Sequence, residues 1–385
     1  MAGYRSLLVT AGCGFLLTIL LIGGLNLYVD PFHYYHLDGR EIEVFSPNQR
    51  WQNPGVLRHL DYDTVILGTS LSGNFRPRSL KERYGWSTAK VSAAAGSSYT
   101  QQLTLRLAMK RGTVRRVIWE LSFPKFSTGT GLQPIEPYLP QFLYAPTLET
   151  PFRYLLSIDM LSRSLARLRG EDDARPIDEI NVHWDVFRER FRPEAIAEFI
   201  RRHPIRDCRP IPPALVDAVA VDTVIDTTLN QHFERFLSRW PDVEFIGWLP
   251  PWSLQRLANA REVEWERRFY FRRAVYALAA RYPNFRLFDF EVMVDWIGNP
   301  QRYMDGLHFD MDTAEAMLEA FGTGAHEVAK QSPEAAMAEA DAGSRAIVAA
   351  FNAFDWQGLF GCNPGHPKKD MRRPRHRPPD VAAAE

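Results

Sequence analysis

The chain has 385 residues, 45% of them apolar and 24% charged, and its 46 basic residues balance 46 acidic ones. That length and apolar content suit one large folded domain or two small ones, and the even charge gives no basic surplus for nucleic acid. Three cysteines exclude a disulfide framework but leave room for one bridge between Cys208 and Cys362, and no CxxC or Cys/His cluster suggests a metal site or implies a cofactor.

Residues 7–29 carry no charge. As a helix they would be about 34 Å long, against a bilayer core of about 30 Å. A cleaved signal peptide would have a shorter apolar core and small residues at its end, and a lipoprotein signal would place its cysteine after the core, whereas Cys13 lies near the start. An uncleaved single-pass anchor fits better. Arg5 precedes it, and Asp30, Asp38, Glu41 and Glu43 follow it. The positive-inside rule then puts the N-terminus in the cytoplasm and the main domain in the periplasm or outside the cell. Tyr28, Phe32, Tyr34 and Tyr35 fit an interfacial aromatic belt, and His33 and His36 fit polar residues at the membrane exit. Residues 30–60, with Pro47 and Pro54, read as a polar juxtamembrane linker.

Thr64-Val65-Ile66-Leu67 is a short apolar run between Asp63 and Gly68, the pattern of a buried parallel strand. It leads into Gly68-Thr69-Ser70. In open α/β sheets ligands bind beyond the carboxyl ends of the strands, so Ser70 stands where chemistry is placed. Turn formation and helix capping would also account for those three residues. A short helix over 77–84 should close at Gly85. A second strand over 90–93 ends at Gly96. Ser98 then caps a helix that stops at Gly112, and a third strand covers 114–121.

Residues 123–240 interrupt the alternation as a helical insertion beside the site. One helix starts at Thr150-Pro151 and carries Tyr154, Ile158, Leu161, Leu165 and Leu168 at helical spacing, to a stop at Gly170. A second is expected over 193–202. A third, with Ile225, Leu229, Phe233, Phe236 and Trp240 on one face, returns the chain to the sheet. Strands over 243–248 and 285–290 flank a long helix over 262–281. A last helix with Ala314, Met317, Leu318 and Phe321 stops at Gly322. Strands alternating with helices imply a parallel sheet covered on both faces. Residues 323–385 read as a low-complexity, partly disordered tail, alanine-rich with a helix over 334–353 and basic, proline-broken and disordered over 363–385, so the core, 61–322, should fold without them.

A serine nucleophile needs a base, and the base needs a group to orient it. Asp305-Gly306-Leu307-His308 offers both, on the loop between the last strand and the last helix. Asp30-Pro31-Phe32-His33 has the same spacing but lies at the membrane exit.

Gly68-Thr69-Ser70 after the first strand, Gly96 after the second and the late DxxH resemble the SGNH hydrolase superfamily, also called GDSL esterases. The resemblance covers roughly residues 61–122 and 241–322. It implies a three-layer α/β/α sandwich with a five-stranded parallel sheet of flavodoxin-like, SGNH type. It implies Ser70 as nucleophile, His308 as general base, Asp305 as its orienter, and backbone N–H groups of Ser70 and Gly96 as oxyanion donors. Two departures stand out. Thr69 replaces the aspartate of Gly-Asp-Ser. The family's asparagine after the third strand is missing, since Trp119-Glu120-Leu121-Ser122 stands there. Asn74 could substitute for that amide or play a structural part. Glu120 could hold a substrate hydroxyl or pair with an arginine. The anchor, the Gly-Thr-Ser form and the insertion are similar to the divergent branch that includes the D-alanyl-lipoteichoic acid biosynthesis and alginate acetylation proteins. That branch implies acyl transfer to or from a cell-envelope polysaccharide, beside a membrane-bound O-acyltransferase. The alternative is a catalytically silent module on the same fold that binds glycan or that partner.

Overall fold

A computed structural model describes residues 2–37, 43–44, 49–127, 139–171, 175–176, 187–205, 207–218, 220–258, 262–329 and 331–364. Five parallel strands form the central sheet: β1 (Thr64–Leu67), β2 (Thr88–Lys90), β3 (Arg116–Glu120), β4 (Glu244–Leu249) and β5 (Phe285–Asp289). Their spatial order is β2-β1-β3-β4-β5. The chain therefore reverses its direction of travel across the sheet between β1 and β3, and such a switch point opens a crevice at the carboxyl ends of the strands. Alternation along each strand feeds two cores. Val65, Leu67, Val117, Trp119 and Phe245 pack on one face, and Ile66, Ile118, Ile246, Trp248 and Phe288 on the other.

An apolar helix, Ala2–Val29, precedes the sheet, and its 26 residues from Tyr4 to Val29 are long and apolar enough to cross a membrane. Most of its large side chains are exposed, Leu7, Phe15, Leu20 and Leu21 among them. The chain leaves it at Asp30, which is fully buried. The Asp30 carboxylate accepts the Tyr154 hydroxyl at 2.7 Å and the Tyr35 and His36 N–H groups at 2.7 and 3.0 Å.

The expected juxtamembrane linker ends in a helix. Gln49–His59 packs Val56 and Leu57 into the core, and Asn53 donates to the Val91 carbonyl at 2.8 Å. A polar count misreads this segment, because Gln52 and Asn53 are buried and spend their amides on backbone carbonyls. Asp38 and Glu41 lie outside the described residues.

The helix expected over 150–170 is two helices, Thr150–Leu155 and Ile158–Leu168. Ser157 is extended and its side chain accepts the Met160 N–H, capping the second helix and ending the first. The helix returning to the sheet runs from Thr223 to Arg239 through a π segment, Asn230–Glu234, that the spacing did not reveal. The last sheet helix, Met311–Thr323, passes through Gly322 and ends at Gly324, whose φ of 79° supplies the left-handed cap.

The tail has its expected helix, but that helix packs into the domain, against expectation. Pro333–Ala353 is a helix packed along Glu262–Arg281, with Ile347, Val348 and Phe351 in the second core. Trp356 follows them into that core, and Cys362 is disulfide-bonded to Cys208. Alanine-rich composition suggested low complexity. Here the alanines Ala336 and Ala340 are buried where that helix meets the domain. Residues 365–385, with the basic cluster at Lys368, Lys369, Arg372, Arg373, Arg375 and Arg377, lie outside the described residues.

Candidate functional site

β1 ends at Leu67, and Gly68-Thr69 carries the chain into a short 3-10 helix, Ser70–Asn74. Thr69 caps it by accepting the Leu71 N–H at 3.3 Å. Ser70 is the first helical residue, partly exposed on the carboxyl-end edge of the sheet.

On the far side of the chain, Asp305 folds its own turn. Its Oδ1 accepts the N–H groups of Leu307 and His308 at 3.0 and 2.8 Å. Gly306 at φ 76° makes that turn without strain, and the Ser253 hydroxyl donates to its carbonyl. The other carboxylate oxygen, Oδ2, is 2.7 Å from His308 Nδ1. His308 Nε2 is in turn 2.8 Å from Ser70 Oγ. Ser70, His308 and Asp305 thus form one hydrogen-bonded chain across 238 residues of sequence. Burial pushes the Asp305 carboxyl up, but the His308 side-chain hydrogen bond and charge, with the two turn N–H groups, outweigh it and hold Asp305 below the ordinary aspartate value. A carboxylate kept ionised there favours the Nδ1–H tautomer and leaves Nε2 as the acceptor for Ser70.

Glu120 ends β3 beneath this turn. It is fully buried and accepts the Thr69 N–H at 2.7 Å and the Thr69 hydroxyl at 2.8 Å. A Cβ on Gly68 would lie 2.6 Å from the Glu120 carboxylate, so the glycine gives the glutamate its path to Thr69. Burial pushes Glu120 up to about 7 despite the hydrogen bonds from Thr69. The expected substrate contact is corrected: Glu120 braces the nucleophile turn from inside and presents nothing to solvent.

The expected oxyanion donors fare unevenly. Gly96 N–H donates to the Ala93 carbonyl at 2.8 Å and is spent on the loop's own turn. Asn74 is buried and its Nδ2 donates to the Phe309 carbonyl at 2.7 Å, tying the nucleophile helix to the histidine loop, the structural part also weighed for it. Ser70 N–H opens a helix, where the first N–H groups have no acceptor within the helix. The loop after β2 is itself pinned by two cations. Ala95 takes φ 55°, the Arg50 guanidinium donates to the Ala94 carbonyl at 2.8 Å, and Lys125 Nζ donates to the Ala95 carbonyl at 2.9 Å. A non-glycine residue at positive φ stores strain of a kind that clusters at functional sites.

Sequence reasoning missed Lys90 and the Thr69–Glu120 pairing. Lys90 is buried in β2, and its ammonium donates to the Gly73 and Phe75 carbonyls at 3.0 Å each, fixing the far end of the nucleophile helix. The one available signal was a lysine opening the strand expected over 90–93, which the structure places at 88–90 with Lys90 as its last residue. Among the described residues no group of three or more His, Cys, Asp or Glu could hold a metal ion. Comparison of this chain with protein-family models, curated proteins and solved structures finds no match.

Proposed function

We propose that the chain is a membrane-anchored, extracytoplasmic serine esterase or O-acyltransferase of SGNH type on a three-layer α/β/α sandwich. Its substrate would be an acyl ester, such as an acylated cell-envelope polysaccharide, with a membrane-bound O-acyltransferase as a fitting partner. The observation that carries this reading is the Ser70–His308–Asp305 chain at the switch point of the sheet. Ser70 Oγ attacks the ester carbonyl while His308 Nε2 takes its proton. The tetrahedral oxyanion collapses, the alcohol leaves with the proton from His308, and an acyl-serine remains. Water or a glycan hydroxyl, deprotonated by His308, then attacks that ester and frees Ser70. The Cys208–Cys362 disulfide supports a domain on the oxidising side of the membrane.

A specific observation favours the alternative of a silent binding module. Gly96 N–H and the Asn74 amide are both engaged within the protein, and no asparagine follows β3. Loss of one oxyanion donor typically costs about 10²–10³ in rate. A fluorophosphonate probe separates the readings. Acyl chemistry requires covalent labelling of Ser70 that Ser70→Ala abolishes. A folded protein that stays unlabelled would leave the binding module.

A further inference from the structure

We propose that the helical pair over residues 148–168 lies in the membrane interface against lipid, giving the domain a second membrane contact beside its N-terminal helix. The proposal rests on that helix spanning a bilayer and is independent of any acyl chemistry.

The N-terminal helix is covered by protein along a single stripe at its C-terminal end. Ile19, Ile22, Asn26 and Val29 recur three or four residues apart and, with Gly23 and Leu25 beside them, are the positions partly or wholly covered. What covers them is the helical pair. Asn26 Nδ2 donates to the Leu155 carbonyl at 2.7 Å, and the Ser164 hydroxyl donates to Asn26 Oδ1 at 2.8 Å. A Cβ on Gly23 would lie 3.5 Å from Leu156.

Depth follows from the helix rise. Tyr4–Val29 has 26 residues. At about 1.5 Å each that is roughly 39 Å, about 9 Å more than a 30 Å hydrocarbon core. Gly23 is six residues, again about 9 Å, below Val29. Even if the entire excess protrudes at this end, Leu156 beside Gly23 reaches the hydrocarbon boundary.

The outer surface of the pair suits that depth. Leu148 is 93% exposed, Ile158 82% and Phe152 67%, with Leu168 and Leu156 also exposed. Few large apolar side chains are so exposed elsewhere outside the N-terminal helix among the described residues. Two of the basic side chains sit at the level of the helix exit: Arg167 donates to the Pro31 carbonyl, and Arg163 lies 5.3 Å over the Phe32 ring. Over 148–170 there are four arginines against Glu149 and Asp159. Apolar side chains below and cations at headgroup height are the signature of an interfacial amphipathic element, and anionic lipid would strengthen its binding. Lipid is favoured as the occupant because the surface is continuous with a membrane-spanning helix.

The test uses the full chain with Cys13→Ser, in nanodiscs of phosphatidylcholine and phosphatidylglycerol, spin-labelled at Phe152→Cys or Ile158→Cys. Leu16→Cys serves as the hydrocarbon reference and Glu82→Cys as the solvent reference. Labels at 152 and 158 should collide with oxygen and not with a water-soluble nickel chelate, at a depth of about 5–10 Å. Nickel access equal to that at 82 would overturn the proposal. Shielding from both reagents would also overturn it, because a second copy or a protein partner would then cover the surface. A nickel-accessible label at 16 would remove the anchor and this proposal together.

Discussion

Glu120 and Thr69 clasp each other across the two central strands: the carboxylate at the end of β3 takes both the backbone N–H and the hydroxyl of the residue before Ser70. Two hydrogen bonds to one buried carboxylate fix the turn in position and orientation. The proposed nucleophile therefore stands on a rigid strand end, with Lys90 and Asn74 holding the far end of its helix.

This clasp should be pH-sensitive in a definite direction. Glu120 sits near 7 when folded against an ordinary value of 4.5. The folded protein thus holds its proton more tightly, and the associated stability is full below about pH 4.5 and lost as pH rises through about 7. Across that window the loss amounts to roughly 3 kcal/mol at most. Glu120→Gln keeps an acceptor for Thr69 and removes the titration. Urea unfolding at pH 5 and pH 8 should show wild type losing stability relative to Glu120→Gln. Parallel pH dependence of the two proteins would reject the assignment.

Thr69→Val removes the hydroxyl and leaves the N–H bond, so the carboxylate keeps only part of its partners. A cost of about 1–3 kcal/mol is expected for a buried polar group deprived of one hydrogen-bond partner. Thr69→Ser retains the hydroxyl and should cost much less. Equal losses in the two variants, read by denaturant midpoints, would show that the methyl group matters and the hydrogen bond does not.

For catalysis, Ser70→Ala and His308→Ala should each abolish hydrolysis of a small acyl ester. The double variant should be little worse than either, because the groups act as a unit. Asp305→Asn should also lose most activity, since an amide can fix the wrong histidine tautomer. A folded Ser70→Ala that keeps full turnover would remove the triad from consideration.

His232 should set part of the acid limit. Its ring is buried, with Nδ1 2.8 Å from the Ser98 hydroxyl, and burial with the nearby Arg106 charge lowers it to about 4. A base depressed from 6.5 contributes stability that is present above about pH 6.5 and lost as pH falls through about 4. His232→Asn can keep a bond to Ser98 without titrating. Melting at pH 4.5 and pH 7.5 should show the variant losing less on acidification than wild type. A variant as acid-labile as wild type contradicts this.

The C-terminal segment should be integral. Truncation after Gly322 removes Ile347, Val348, Phe351 and Trp356 from the second core and leaves Cys208 without its partner. Reduction alone opens a link between residues 154 apart in sequence. Removing a native disulfide typically costs about 2–5 kcal/mol, so reduced protein should unfold at clearly lower denaturant, and the truncation lower still. An unchanged melting temperature after truncation would mean that this helix adds no stability.

The residue pattern alone determined much of this protein. Short β-branched runs between turn residues marked most of the strands, since a parallel strand covered on both faces is apolar, and residues 64–67 were placed as the structure has them, whereas the strand expected over 90–93 lies at 88–90. The positions of Ser70 and of Asp305–His308 followed too, because chain order and strand direction bring those loops to the same edge. An uncharged run long enough for a membrane needs no tertiary context. Other features were decided only when distant segments met. Whether Gly96 N–H is available depends on the turn that the loop after β2 adopts. Glu120 and Thr69 are 51 residues apart, and nothing local in either says that one is buried under the other. The same holds for the C-terminal helix. Its alanines resemble a low-complexity tail until the helix over 262–281 supplies the surface that buries them, because a small side chain has no environment of its own until another element packs against it.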